Sequence, residues 1–238
     1  MKKRILSIML LCCMVLTMLP TTVLAADGPM DTIPKYDVSI DVYNRTSDIS
    51  IKDSRSYYIY SSVPDKLRDT WAWDKKIFIK GDKTAPHVFI DGVNIEMSPS
   101  SKGPAIELNK KASAYIYFIG KNSSLQGADG RAAIQKNRSE GQLYVLARTG
   151  TTVTCKGGDK AAGIGGSYAT RNISNGYYNG DMYGHGVNMH FGSRSNPDYW
   201  GGTIAAIGGN GGAGIGGGQG GSGEKLYFYS GTVQANGG

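Results

Sequence analysis

After residue 25 the apolar residues fall in short runs with a period of two, and no run recurs at helical spacing. Three kinds of segment follow one another in fixed order. The first is strongly apolar: His87-Val88-Phe89-Ile90, Tyr115-Ile116-Tyr117-Phe118, Leu143-Tyr144-Val145-Leu146, Val187-Asn188-Met189-His190-Phe191 and Leu226-Tyr227-Phe228-Tyr229. The second is more polar: Val93-Asn94-Ile95, Ser123-Ser124-Leu125, Thr151-Thr152-Val153-Thr154, Gly202-Thr203-Ile204-Ala205 and Gly231-Thr232-Val233-Gln234. The third is a small-residue turn: Pro104-Ala105-Ile106, Ala132-Ala133-Ile134, Ala162-Gly163-Ile164 and Ala213-Gly214-Ile215. The turn isoleucines are 28, 30 and 51 residues apart, and the last interval holds two insertions, 167–186 and 192–201.

A period of 28–30 residues with several short strands and no helix predicts an all-β chain wound as a parallel β-solenoid. One unit cannot bury its own apolar side, whereas stacked units bury a continuous inner column. Val88, Ile90, Ile95, Ile106, Ile116, Leu125, Ile134, Val145, Val153, Ile164, Ile204, Ile215 and Val233 are expected to point inward. An antiparallel sandwich is the structural rival, but segments that repeat in type order favour parallel stacking of like on like. Residues 36–80 hold less regular strands and are expected to form an N-terminal cap and opening rung, with the coils proper at 81–238. The chain stops at Asn236-Gly237-Gly238, midway through a repeat, which predicts further coils beyond it.

Composition sharpens this picture. Of 35 glycines, 26 lie in the last 82 residues, among apolar residues at fixed places, as a chain that turns a corner many times requires. Collagen is excluded, because there is no G-X-Y period. Met1-Lys2-Lys3-Arg4, the apolar run Ile5 to Leu19 and Val23-Leu24-Ala25 read as a secretory signal peptide over residues 1–25, cleaved before Ala26. The apolar run is too short for a spanning helix, so no membrane insertion is expected after cleavage. Removing Lys2, Lys3 and Arg4 leaves 23 basic against 19 acidic side chains, a net of +4 with no clustered basic face and no nucleic-acid footprint. Cys155, alone after cleavage, lies in an alternating run and reads as a small core residue.

The stretches Gly212-Ala213-Gly214-Ile215-Gly216-Gly217-Gly218 and Gly231-Thr232-Val233-Gln234-Ala235-Asn236-Gly237-Gly238, with Asp91-Gly92-Val93-Asn94-Ile95, resemble the Gly-rich AGIGGG-repeat proteins exported by Gram-positive bacteria. Those proteins look like right-handed parallel β-helices of the pectate-lyase-like shape, and some resemble carbohydrate-binding modules. The likeness covers residues 37–238. It implies a secreted or cell-surface role facing a polysaccharide or cell-wall glycan, and it assigns no residue. The long insertions depart from the plain repeat.

Three groups of residues are candidates for chemistry. Ser101, Asp129, Asp159 and Asn210 each stand five residues before a turn isoleucine. Stacking would bring Asp129 and Asp159 onto adjacent rungs, where two carboxylates could share Ca²⁺ or act as an acid/base pair. Asp and Asn also favour such turns for their own backbone hydrogen bonds. The insertions carry Tyr168, Tyr177, Tyr178, Tyr183, Tyr199 and Trp200 among asparagines, a composition suited to sugar faces and hydroxyls. The same rings could instead fold back as a satellite core. Asp181, His185 and His190 have metal-like spacing but lie on no common helix face. The expected function is non-catalytic carbohydrate binding or adhesion. A polysaccharide lyase or glycoside hydrolase acting on acidic glycans is the alternative, and a structural spacer of a larger surface protein is a third.

Overall fold

The alternation in the sequence becomes strand pairing in a single direction. The computed structural model describes residues 35–81, 84–98, 103–109, 111–136, 140–168 and 184–238. Strands are numbered along the chain. The first sheet contains β1 (Val38–Asp41), β3 (Ser56–Tyr60), β5 (His87–Asp91), β8 (Ala114–Ile119), β11 (Leu143–Ala147), β14 (Gly186–Phe191) and β17 (Gly223–Phe228). The second contains β2 (Ile49–Ile51), β4 (Ile77–Ile79), β7 (Ile106–Leu108), β10 (Ile134–Gln135), β13 (Ile164–Gly165) and β16 (Ile215–Gly216). The third contains β6 (Asn94–Glu96), β9 (Ser123–Gln126), β12 (Thr152–Lys156), β15 (Thr203–Ile207) and β18 (Thr232–Asn236).

From β5 onward the chain visits the first, third and second sheets in turn and then returns to the first. Every pairing between named strands is parallel and in register. The chain is therefore all-β, with three parallel sheets of stacked strands and, among the described residues, one 3-10 turn at Asp65–Leu67. Parallel register has a direct consequence in the second sheet. Ile49, Ile77, Ile106, Ile134, Ile164 and Ile215 pair in one column. Each rung lies roughly 4.8 Å from the next.

The interior is the sum of such columns. The positions expected to face inward are buried, except Ile215 and Val233, which are partly buried on the last rung. Cys155 is fully buried, and burial pushes its thiol well above the ordinary range, consistent with a core role. Residues 36–80 do more than precede the coils. β1 and β3 extend the first sheet, β2 and β4 extend the second, and Trp73 bridges Ile95 of the third. The alternation Ile49/Ile51 and Ile77/Ile79 fits the same inward column, so stacking already begins there. The expected signal peptide lies outside the described residues.

Two kinds of glycine hold the corners. Gly150 has φ +84° at the corner from β11 to β12 and faces open space. At Gly158 the issue is close approach, since a Cβ there would collide with the Ala128 carbonyl oxygen of the rung below. Gly150→Ala is expected to cost about 1–2 kcal/mol from the left-handed backbone alone. Gly158→Ala is expected to cost more, because a backbone atom must move. Ile134→Ala is expected to cost about 2–5 kcal/mol, and Ile215→Ala clearly less. Urea midpoints of the four variants check this ranking. Equal losses at Ile134 and Ile215 would contradict the columnar core.

Candidate functional site

Strand alternation sends every second side chain of the third sheet outward. On three successive rungs those positions are polar, namely Asn94 and Glu96 on β6, Ser124 and Gln126 on β9, and Thr152, Thr154 and Lys156 on β12, whereas β15 turns Ala205 and Ile207 outward beside Thr203. Register stacks Asn94, Ser124 and Thr154 in one column, because Asn94 pairs Ser124 and Ser124 pairs Thr154. Asparagines tie the rungs together. Asn94 Oδ1 accepts the Ser124 N–H at 3.1 Å, and Asn122 Oδ1 accepts the Thr152 N–H at 2.8 Å. The floor is therefore held by the backbone ladder and by side-chain bonds across it.

A wall rises beside this floor. The chain leaves β3 and, before reaching Trp73, runs outward through the 3-10 turn. Asp65, Arg68 and Asp69 of this excursion face the floor across a groove of about 720 Å³. Gly120, Lys121, Asn122, Ser123, Ser124, Thr152 and Thr154 complete the lining with Asn94. The wall is pinned at several points. Arg68 Nη1 donates to the Gly92 carbonyl at 2.9 Å, and Asn94 Nδ2 donates to the Arg68 carbonyl at 2.9 Å. Lys121 Nζ meets Asp65 Oδ1 at 2.6 Å, and Arg68 Nε meets the same oxygen at 3.4 Å. The hydrogen bond from Lys121, with its charge, holds the Asp65 carboxyl below the usual carboxylate range.

The lining suits hydrogen bonding to a polyhydroxyl ligand. A general acid needs a carboxyl held above its ordinary range. Asp65, the groove carboxyl with a resolved displacement, is shifted downward, as are Asp41, Asp53 and Asp74 elsewhere on the surface. Ionised carboxylates of this kind accept hydrogen bonds from hydroxyls and donate no proton.

The aromatic residues of the insertions are arranged differently from a projecting platform. Trp200 is only 3% exposed and packs on Tyr117, with ring centroids 5.1 Å apart. Phe89, Ile119 and Leu146 complete this second cluster on the outer side of the first sheet. Tyr199 is half-buried beneath the Arg148 guanidinium, which lies 5.5 Å from its ring centroid. The loop is sewn down by Thr149, whose N–H donates to the Tyr199 carbonyl at 2.9 Å and whose hydroxyl donates to the Asp198 carbonyl. The cause is visible in the sequence of β8. Its outward positions, Tyr115, Tyr117 and Ile119, are apolar and need a cover. Tyr177, Tyr178 and Tyr183, with Ser101 and Asp181, lie outside the described residues.

The first sheet also carries a ring column: His87, Tyr115, Tyr144, His190 and Tyr227, with successive centroids 4.7, 4.5, 4.4 and 4.7 Å apart. These rings stack face to face, so the inner rings use their faces on one another and leave none for a sugar. His185 and His190 bond separately, to the Ser222 hydroxyl and the Tyr229 hydroxyl, each at 2.8 Å.

Asp129 and Asp159 do occupy adjacent rungs, since the Gly130 N–H donates to the Asp159 carbonyl at 2.8 Å. Both are exposed turn residues. Each turn closes with a hydrogen bond, Arg131 N–H to Ala128 and Ala161 N–H to Gly158, and its third residue, Gly130 or Lys160, takes φ +73° or +62°. Asn210 sits in the same kind of turn, with Gly211 at φ +77°. This is the turn chemistry Asp and Asn favour. Asp159 faces Lys160 at 3.8 Å. Among the described residues no group of three or more His, Cys, Asp or Glu side chains converges, whereas a calcium ion takes roughly six to eight oxygens.

The groove was missed in the sequence, although its floor carried a signal in the polar alternate positions of Asn94, Ser124, Thr152 and Thr154. The wall carried none, because nothing local says that residues 61–72 stand beside a strand face. No family model, curated protein or solved structure matches the chain.

The Asp65 carboxyl is expected to titrate below 3.8, its ordinary value, with Lys121→Ala moving it back upward. The bridge is then present above the ordinary carboxylate range and lost as pH falls through the lowered pKa. Carboxyl carbon shifts followed by NMR measure both. An unchanged midpoint in Lys121→Ala would dissolve the bridge.

Proposed function

We propose that this chain is an exported, surface-facing right-handed parallel β-helix that binds carbohydrate without transforming it. The observation that carries the reading is the groove over the third sheet. It combines a backbone-fixed floor of hydroxyls and amides with a wall whose carboxylate is held ionised. A site that must recognise hydroxyl groups needs donors and acceptors placed in advance, so that little order is lost on binding. The hand of the coils is inferred from the rule that parallel strand–crossover–strand connections are right-handed in about 98% of cases. Export is inferred from the reading of residues 1–25 as a signal peptide.

The lyase or hydrolase alternative draws less support. Asp129 and Asp159 are exposed turn residues with backbone roles, and neither lies in the groove. The spacer reading predicts no binding at all, which separates it cleanly.

The chain, produced with its own leader, is expected in the culture medium or on the cell surface with Ala26 as its first residue, read by N-terminal sequencing. Incubated with polysaccharides, it is expected to be retained on at least one of them while releasing neither new reducing ends nor unsaturated uronides. Either product would replace the binding reading with the catalytic one.

A further inference from the structure

We propose that the outer side of the first sheet stores single oxidising equivalents: its stacked tyrosines yield an electron to a one-electron oxidant, and the radical settles on buried Tyr117 with its proton on His87. The site lies away from the groove and does not depend on carbohydrate binding. Three features lead there: a continuous run of rings, a phenol paired with an imidazole, and a cover over that pair.

The run follows from register. His87, Tyr115, Tyr144, His190 and Tyr227 pair in turn along the first sheet, one ring to a rung. Each ring lies within 16° of parallel to the next. Their π-systems therefore meet face to face. Such contact lets an electron vacancy pass from ring to ring without either ring moving. Tyr227 is 41% exposed, and Tyr115 and Tyr144 are half-buried, so an oxidant in solution can reach the run. Tyr117 stands beside it, with its ring centroid 5.7 Å from that of His87 and 6.4 Å from that of Tyr115.

Proton transfer decides where the vacancy stops. A phenol that loses an electron becomes a strong acid and must pass its proton to a nearby base. The Tyr117 hydroxyl lies 3.0 Å from His87 Nδ1. Burial holds the His87 imidazole below its ordinary pKa, so it is uncharged at neutral pH and offers a lone pair. The step balances: the oxidant gains one electron, the phenol proton moves to Nδ1, and a neutral phenoxyl radical and an imidazolium remain. A one-electron reductant such as an enediol reverses it, and the proton returns to the phenol oxygen. Tyr229 has the same kind of partner, with its hydroxyl 2.8 Å from His190 Nδ1, but the Arg194 guanidinium lies 4.6 Å from its ring centroid. A cation over a ring opposes removal of an electron from it. The neighbours of Tyr117 in register are Phe89 and Leu146, which are not phenols and cannot couple with its radical to give a biphenol. Trp200 packs over Tyr117, which is only 6% exposed, so a radical there meets dissolved reductants only through the outer rings.

The experiment generates a ruthenium(III) polypyridyl oxidant by a light flash in a solution of the full chain. Phenoxyl radical is followed by transient absorption and, after rapid freezing, by electron paramagnetic resonance. A signal that outlives the radical of free tyrosine amide is expected, and it is expected to form more slowly in heavy water. Tyr117→Phe keeps the ring and is expected to lose the long-lived signal. His87→Phe keeps the stack and is expected to shorten the lifetime and remove the heavy-water effect. Tyr60→Phe, on the same sheet but outside the run, is expected to change neither. Circular dichroism establishes that each variant is folded, and where Tyr117→Phe is not, the lifetime in His87→Phe decides. A signal in the unaltered protein that decays as fast as that of free tyrosine amide overturns the inference. So does a long-lived signal that persists unchanged in folded Tyr117→Phe or in folded His87→Phe. Either result leaves carbohydrate binding untouched.

Discussion

One constraint governs the molecule: each rung hydrogen-bonds to the next in parallel register, so a residue always lies on its counterpart from the neighbouring coil. Backbone groups satisfy one another between coils, and side chains are sorted into columns. Whatever a column contains is multiplied along the stack. An isoleucine column makes the core of the second sheet, a ring column runs along the outer side of the first, and a column of amides and hydroxyls faces outward from the third.

The same constraint explains the corners. Coils separated by one strand spacing leave no room for a side chain where two backbones meet, and Gly158 under the Ala128 carbonyl shows how little space there is. It also explains why a self-stacking column makes a poor ligand platform. Rings repeated in register turn their faces to each other and only their edges outward. Hydroxyls and amides repeated in register behave differently, because small polar groups leave capacity directed away from the sheet. The outer side of the third sheet is therefore the more receptive surface.

Two excursions among the described residues respond to what lies beneath them. Residues 192–201 fold over the apolar outer positions of β8 and β11, where burying Trp200 removes hydrophobic surface from water. Residues 61–72 stand beside a polar face, are held by ion pairs and by bonds to backbone carbonyls, and leave a groove. A loop over an apolar patch closes it, while a loop over a polar patch can remain apart from it, because water solvates both surfaces.

Much of this architecture could be read from the residues alone. The repeat at Ile106, Ile134 and Ile164 set the period, and alternation set which side chains turned inward, because both are local properties copied unchanged from coil to coil. The Asp129 and Asp159 turns were legible for the same reason, down to their adjacency. What the residues could not show was how non-repeating segments use the surface. Nothing in the order Tyr199-Trp200 says that one ring will be buried against Tyr117, far away in the chain, and nothing in Asp65 names Lys121 as its partner. Repetition makes contacts predictable by carrying the same answer to every rung. An insertion occurs once, so its resting place depends on free-energy differences between surfaces that exist only after the coils have stacked.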